Sequence, residues 1–174
     1  AYRNNSTEGA PYFVFVGALN PRKNVARLLH AFDALKKSSD LPHKLLIVGE
    51  KMFLTGSIQE AFQSMEHSKS VIFTGRLDNE PLRRVVAAAE SLILPSTYEG
   101  FGIPLVEAMQ CGVPVLAADA TALPEVTGDA GLLFDPLEIN SIVGAMKRMA
   151  ENNDLRSDLI AKCLLRAKEF SWDR

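Results

Sequence analysis

The chain has 174 residues, of which 47% are hydrophobic and 23% are charged, and its formal net charge is −2. This size and composition suit one globular domain with a hydrophobic core. The charge excludes a global basic field of the kind that holds nucleic acid. No apolar run is long enough to span a bilayer, and the first ten residues lack the apolar segment of a signal peptide.

The cysteines and histidines give no sign of a metal site. Cys111 and Cys163 fall in predicted helices without metal-ligand spacing, and we interpret both as small buried thiols in a reducing compartment. His30, His43 and His67 are scattered along the chain. The sequence therefore predicts neither a metal site nor a nucleophile–base pair.

Residues 1–11 are polar and irregular, and we interpret them as a linker or disordered N-terminal segment before a domain at residues 12–174. In that domain, short apolar runs alternate with amphipathic stretches, which indicates buried parallel strands and covering helices. The fold class is therefore α/β: a Rossmann-like, doubly wound parallel sheet of about six strands with helices on both faces. Strands are predicted at Tyr12–Val16, Lys44–Val48, Ser70–Thr74, Ser91–Leu94, Val113–Ala117 and Gly131–Phe134.

The helices are predicted from apolar residues at helical spacing and from their start and stop signals. The first follows Asn24, a weakly patterned one spans residues 57–67, and another follows Pro81. Pro104 is expected to begin a helix that Gly112 ends, and residues 121–125 resemble a single helical turn. Residues 135–138 look like a capped helix start with proline at the first helical position. A last helix carries apolar residues between 155 and 164.

A glycine follows each of the first three strands, at Gly17, Gly49 and Gly75. Open parallel sheets bind ligands beyond the carboxyl ends of their strands. We therefore expect these glycine turns and the loop after the fourth strand to meet at one edge of the sheet.

The stretch from Pro95 to Val115 carries the strongest chemical signal. Gly100 and Gly102 precede a helix whose first amides lack partners, which favours a bound phosphate. Glu99 lies just before that helix and Glu107 about one turn inside it. Because carboxylates repel phosphate but accept hydrogen bonds from paired hydroxyls, the pattern indicates a nucleotide sugar.

The alternative is that Glu99 caps the helix and Glu107 is a solvated helix residue. For two arbitrary glutamates that interpretation would be preferred. Here Val106 and Ala108 flank Glu107 on a helix between two apolar strands, which makes free solvation a weaker explanation.

Other residues are predicted at the same edge. Arg22 and Lys23 follow the first strand and could neutralise a diphosphate; the alternative is a solvated basic pair. The backbone of Gly75–Leu77 could contact a nucleobase, with Leu77 on its face; the alternative is a plain turn. Arg83 and Arg84 are interpreted as a solvated helix face, and Thr121 and Glu125 as capping and solvating a short helix. The dinucleotide fingerprint and the Walker loop are both absent.

Several motifs in order resemble the C-terminal domain of the group 1 (family 4) glycosyltransferases, which have the GT-B fold. They are Gly17-x4-Arg-Lys-Asn24, Val48-Gly49, Phe73-x-Gly75, Pro95-Ser-x-x-Glu-Gly-Phe-Gly-Ile-Pro-x-x-Glu-Ala-Met-x-x-Gly-x-Pro-Val115, Pro124-Glu125 and Gly131-Leu-Leu-Phe134. The resemblance runs from about Tyr12 to the end of the chain. It implies the donor-binding half of a retaining transferase that moves a sugar from a nucleoside diphosphate to an acceptor.

The resemblance also implies roles for individual residues. Glu99 would contact the hydroxyls of the donor sugar, and Glu107 would hold the ribose diol. Amides around Phe101, Gly102 and Ile103 would hold the diphosphate, assisted by Arg22 and Lys23, and Leu77 would lie near the base. The site set expected from sequence is Glu99, Lys23 and Arg22 as catalytic residues, with Gly17, Gly75, Leu77, Gly100, Phe101, Gly102, Ile103 and Glu107 as donor-binding residues. Ala18 stands where many members carry an arginine, and Arg22 could replace it.

No metal and no cofactor are expected, because protein charges serve the departing diphosphate in such enzymes. The acceptor site is expected in an N-terminal domain that this chain lacks, so the chain would bind nucleotide weakly without turnover. A cytoplasmic location, with peripheral membrane contact through the missing half, and a mannosyltransferase of surface polysaccharide are expected by analogy. Two alternatives stay open: a GT-B nucleotide-sugar 2-epimerase and a non-catalytic nucleotide-sugar-binding module.

Overall fold

The computed structural model describes residues 6–50 and 56–170. Within them six strands form one parallel sheet in the order β3-β2-β1-β4-β5-β6. The sheet confirms the predicted Rossmann-like fold class, with helices on both faces. The strands are β1 Tyr12–Val16, β2 Lys44–Val48, β3 Val71–Gly75, β4 Ser91–Leu94, β5 Val115–Ala118 and β6 Gly131–Phe134.

The first five helices lie in the connections between strands, and the last two follow β6. They are α1 Val25–Lys37, α2 Ser57–Ser64, α3 Asn79–Ala87, α4 Ile103–Gln110, α5 Leu123–Thr127, α6 Ile139–Glu151 and α7 Asn153–Ala167. Short 3-10 turns lie at Pro21–Lys23, Ser68–Ser70 and Lys168–Phe170.

The core lies on both faces of the central strands. Every side chain of β4 and β5 is buried, and so are the first four of β1. Burial on both faces explains why these strands are continuous apolar runs rather than alternating ones. Helix α1 packs against α2 and α6, and α4 packs against α7.

Strands β3 and β5 are shifted by one or two residues from their predicted bounds, and two helix starts differ: α3 begins at Asn79 rather than after Pro81, and α6 begins later than predicted. Strand β3 begins at Val71 and β5 at Val115. The prediction that α6 begins with Pro136 at its first helical position is wrong, because α6 begins at Ile139. The Asp135 carboxylate instead accepts a hydrogen bond from the Leu137 amide, which makes a turn before the helix.

Asp33 on α1 is a buried charge with several partners. Its carboxylate accepts a hydrogen bond of 2.9 Å from the His67 backbone N–H and lies 3.1 Å from Lys37 Nζ. Burial raises the pKa of the Asp33 carboxyl, but the hydrogen bonds from the His67 backbone and Lys37 outweigh it and hold the pKa below its ordinary value. This carboxylate therefore joins α1 to the segment before β3.

The two cysteines differ in exposure. Cys163 is fully buried on α7, as predicted, but the prediction that Cys111 is buried is wrong. Cys111 is exposed because it follows the last residue of α4, at the side of the helix that faces α3.

At the N-terminal end, Thr7 is buried and the Pro11 carbonyl accepts a hydrogen bond from the Lys44 amide. The rest of the predicted linker, residues 1–5, and the C-terminal residues 171–174 lie outside the described residues. The division at residue 12 therefore stays a prediction. Among the described helices, none has the length and apolar character needed to cross a bilayer.

The strand order places one pair of loops at a special position. Strands β1 and β4 are neighbours, and from them the chain continues towards opposite edges of the sheet. Loops that leave such a topological switch point diverge and open a crevice for ligands. Here those loops are the β1–α1 loop and the β4–α4 loop.

Candidate functional site

The β1–α1 loop and the β4–α4 loop are joined by three successive residues. The Arg22 carbonyl accepts a hydrogen bond of 2.9 Å from the Thr97 amide. Lys23 Nζ donates to a Glu99 carboxylate oxygen, and Asn24 Nδ2 donates to the Pro95 carbonyl at 3.0 Å. These contacts fix the walls of the crevice relative to each other.

The Lys23–Glu99 ion pair lies at the centre of the crevice. Each side chain is only 10% exposed, so the charges are poorly screened by water. Glu99 Oε1 also accepts a hydrogen bond of 2.8 Å from the Ser96 hydroxyl, whereas no described residue donates to Oε2. One carboxylate oxygen is therefore held by the protein, and the other has no donor among the described residues.

The same contacts decide between the two interpretations of these residues. Glu99 does not cap α4, since its carboxylate binds Lys23 and Ser96 and the N-cap residue is Gly102. Lys23 is buried, so it is not half of a solvated basic pair. Arg22, by contrast, has an exposed side chain and contributes its carbonyl to the crevice wall.

Thr121 holds the Glu99 loop from the other side. Its hydroxyl donates to the Glu99 carbonyl and accepts from the Glu99 amide, each at 3.0 Å. The Thr121 backbone has a φ of 51°, a left-handed conformation that is unusual for a β-branched residue. The interpretation of Thr121 as a helix cap is therefore wrong, because its side chain fastens the loop that carries Glu99.

The start of α4 offers unused hydrogen-bond donors. No described residue accepts a hydrogen bond from the backbone N–H groups of Phe101, Gly102 or Ile103. Gly102 adopts a φ of 91°, and a Cβ there would lie 2.7 Å from Leu123 Cδ2. This position therefore requires glycine, and the resulting turn presents consecutive donors and the positive end of the helix dipole to an anion.

The glycine turns after β1, β2 and β3 do meet at this edge. The Gly17 amide donates to the Val48 carbonyl at 3.0 Å, and the Gly49 amide donates to the Gly75 carbonyl at 3.1 Å. A Cβ on Gly49 would lie 2.1 Å from the Gly17 carbonyl oxygen. A Cβ on Gly17 would lie 3.5 Å from Lys23 Cε, so the lysine stem passes close to this turn.

Glu107 lies about one turn into α4, on the wall of a cavity between α3 and α4. The cavity has a volume of about 470 Å³. Glu107 is exposed, so the expectation that flanking apolar residues shield it is wrong. No described residue forms a hydrogen bond or ion pair with the Glu107 carboxylate, which is therefore open to a ligand.

The remaining predicted residues border the same region. Leu77 is half-buried in the segment between β3 and α3, and Gly100 is exposed, with open space around its Cα. The Phe101 and Ile103 side chains are 43% and 55% exposed. The Phe101 ring makes an edge-to-face contact with Phe170, 5.7 Å between centroids. The predicted residues in the loops that follow β1, β3 and β4 thus lie at one edge of the sheet, and Glu107 lies one turn into α4.

Sequence reasoning missed three residues that build the crevice: Asn24, Ser96 and Thr121. Asn24 adopts φ 61° and binds the carbonyls of both Pro95 and Pro136. Asparagine tolerates this left-handed conformation, so its position before a helix was a usable signal. Nothing in the local sequence marks Ser96 or Thr121, because their partners depend on the fold.

Two further observations delimit the site. In residues 6–50 and 56–170, no group of three or more histidine, cysteine, aspartate or glutamate side chains could hold a metal ion. An open depression of about 600 Å³ lies where α6 meets α7, lined by Arg148 and residues 151–154. Since α6 follows β6 and returns antiparallel to it, this depression is at the amino edge of the sheet, away from the crevice.

Comparison with known proteins gives a family and several relatives. The profile of the family described as "Glycosyl transferases group 1" matches residues 2–163. The chain is 34% identical over 162 residues to O-antigen chain mannosyltransferase B of Escherichia coli, covering 93% of this chain and 42% of that protein. It is 33% identical over 156 residues to the MMP alpha-(1->4)-mannosyltransferase of Mycolicibacterium hassiacum, covering 87% of this chain and 37% of that protein.

A solved structure supports the same grouping. Sucrose-phosphate synthase from Thermosynechococcus elongatus superposes with a TM-score of 0.82 at 25% identity, over 97% of this chain and 44% of that chain. The chain thus spans less than half the length of these three relatives.

Proposed function

The chain belongs to the group 1 glycosyltransferase family, and we propose that it is the donor-binding part of a retaining enzyme that transfers a hexose from a nucleoside diphosphate sugar. We propose mannose as the sugar, because two relatives are named mannosyltransferases. The acceptor proposed is a glycan or a lipid-linked saccharide. The transferase names also favour transfer over epimerisation or mere binding.

The observation that carries this proposal is the Glu99 loop. It is held by Lys23, Ser96 and Thr121 directly beside the unpaired amides of α4. An anion-binding helix start next to a carboxylate with one free oxygen suits a phosphate that is bonded to a polyol. The sugar hydroxyls of the donor are assigned to Glu99 and the ribose diol to Glu107.

The same geometry supplies a mechanism for the departure of the diphosphate. As the bond between the anomeric carbon and the phosphate oxygen breaks, negative charge grows on the leaving group. We propose that Lys23 and the amides of residues 101–103 stabilise that charge, most strongly in the transition state. Arg22 is proposed to swing its exposed side chain onto the same diphosphate, in place of the arginine that Ala18 lacks. The reaction proposed here uses no metal or other cofactor.

The whole protein's activity requires more than these residues. Because the chain spans 42% of the first relative's length, we propose that the acceptor is bound by residues outside this chain, in an N-terminal domain that closes over the crevice. Nucleotide binding by the chain is then weak and is not followed by turnover. Peripheral membrane contact, if the acceptor is lipid-linked, belongs to that other part of the enzyme.

Titration calorimetry with UDP, GDP and ADP, and with their mannose or glucose conjugates, tests the proposal. We expect at least one nucleoside diphosphate to bind, and Glu107→Ala to weaken it by about 1.5–3 kcal/mol, the worth of a hydrogen bond to a charged group. Glu151→Ala, an exposed position at the end of α6, is the matched control. Equal affinity in Glu107→Ala and Glu151→Ala, or no binding of any diphosphate, contradicts the proposal.

A further inference from the structure

The cavity between α3 and α4 has an unused cation opposite Glu107. Arg83 on α3 and Glu107 on α4 line it from its two sides. Neither side chain forms a hydrogen bond or ion pair with a described residue, although Arg84, the next residue on α3, is paired with Glu80. Arg83 therefore has no partner among the described residues, whereas its neighbour has one.

The cavity is suited to a nucleoside in size and chemistry. Its volume of about 470 Å³ falls within the range of small-molecule sites, roughly 300–1,000 Å³. Its walls combine the apolar side chains of Leu82 and Val86 with the polar ones of Asn79 and Gln110. The apolar side chains can pack on the face of a base, and the side-chain amides of Asn79 and Gln110 can form hydrogen bonds with its edge.

We infer that Arg83, on the wall of this cavity, selects guanine as the base of the donor nucleotide. The inference rests on the proposed function, which puts the ribose diol on Glu107. The base is bonded to the ribose and so lies close to Glu107; the lining of this cavity includes Asn79, two residues after Leu77, and Arg83 lies on the wall opposite Glu107.

Arginine chemistry decides which base fits. The guanidinium group of arginine is planar, donates hydrogen bonds in parallel pairs and accepts none. Guanine offers it two adjacent acceptors, O6 and N7, whereas adenine places a donor amino group beside N7. Uracil presents its two carbonyls on either side of an N–H donor, so it can accept only one hydrogen bond from the guanidinium group. The order of affinity is therefore GDP, then UDP, then ADP.

Calorimetry with matched variants tests this assignment. Wild type is expected to bind GDP at least about fivefold more tightly than ADP, the lower end of discrimination by a bidentate contact. Arg83→Gln should bring that ratio below about twofold, whereas Arg84→Gln, with the same charge change one residue away, should keep it. Both positions are exposed, so both variants are expected to fold.

The exposed thiol of Cys111 gives a second readout, because it lies in the wall of the same cavity. GDP should slow alkylation of Cys111, and inorganic pyrophosphate, which occupies only the phosphate site, should not. Cys163 is the internal control, since burial raises the pKa of its thiol to about 12 and keeps it unreactive.

The outcomes separate the two proposals. If GDP and ADP bind equally, or if Arg83→Gln keeps the wild-type ratio, the assignment of Arg83 is wrong while the proposed function stands. If GDP binds without protecting Cys111, the nucleoside lies outside this cavity and the inference fails. If no nucleoside diphosphate binds, both proposals fail together.

Discussion

The Lys23–Glu99 ion pair makes a prediction about ligand affinity whose sign depends on the ligand. In the free protein Glu99 holds the lysine that the proposed function assigns to the diphosphate. A nucleoside diphosphate must therefore share Lys23 with a carboxylate. Glu99→Gln removes this competition, and we expect it to tighten the binding of GDP or UDP.

The expected gain in affinity follows from replacing the charged Lys23–Glu99 contact by a hydrogen bond to a neutral amide. A hydrogen bond to a charged group contributes about 1.5–3 kcal/mol, and a neutral one about 0.5–1.5 kcal/mol. The side chains are each 10% exposed, so solvent screening reduces this difference little. A difference of about 1 kcal/mol corresponds to roughly fivefold tighter binding in Glu99→Gln. The nucleoside diphosphate sugar should lose that gain, because the variant lacks the carboxylate that binds the sugar hydroxyls.

Titration calorimetry on the purified chain measures both ligands directly. Lys23→Met should weaken both ligands by tenfold or more, roughly the worth of one charged hydrogen bond. Glu151→Gln carries the same charge change at a distant exposed position and should match wild type. The reasoning is refuted if Glu99→Gln weakens diphosphate binding as Lys23→Met does, or if it behaves like Glu151→Gln with both ligands.

Three further predictions concern the stability and local dynamics of the domain. Gly102→Ala should lower the free energy of unfolding by about 1–3 kcal/mol, because its φ is 91° and its Cβ would collide with a leucine. Gly100→Ala, which meets open space, should change it by less than about 0.5 kcal/mol in urea denaturation; equal effects would contradict the packing. Thr121→Ala should speed hydrogen exchange of the Glu99 amide about fivefold or more, whereas Thr121→Ser, which keeps the hydroxyl, should not. Asp33 has a lowered pKa in the folded state, so its stabilisation is present above about pH 4 and is lost as the pH falls below that value. Unfolding measured against pH should show a shallower acid limb in Asp33→Asn, and an unchanged limb would refute the assignment.

The sheet was predictable because each strand is a short apolar run. Tyr12–Val16 and Ser91–Leu94 are buried almost throughout, and burial on both faces favours an apolar residue at nearly every position of such strands. Pro136 was misplaced for a local reason. Its fixed φ is compatible with both a helix start and a turn, and the Asp135 carboxylate stabilises the turn.

The site was predictable in part. The strand order brings the glycine turns and the Glu99 loop to one edge, which a parallel sheet dictates. The Lys23–Glu99 pair could not be read from the sequence, because its partners are 76 residues apart. The two hydrogen bonds between Thr121 and Glu99 likewise depend on how α5 packs against the rest of the domain. The exposure of Cys111 depends on the cavity that α3 and α4 leave between them, which no local pattern predicts.

The central claim is that a nucleoside diphosphate binds at the start of α4. The most direct test is a titration of the 15N-labelled chain with GDP or UDP, followed by NMR of the backbone amides. The account predicts that the amide signals of Phe101, Gly102 and Ile103 shift most, since their N–H groups gain an acceptor. Unmoved signals at these residues, with shifts at Arg148 and residues 151–154 instead, would contradict it.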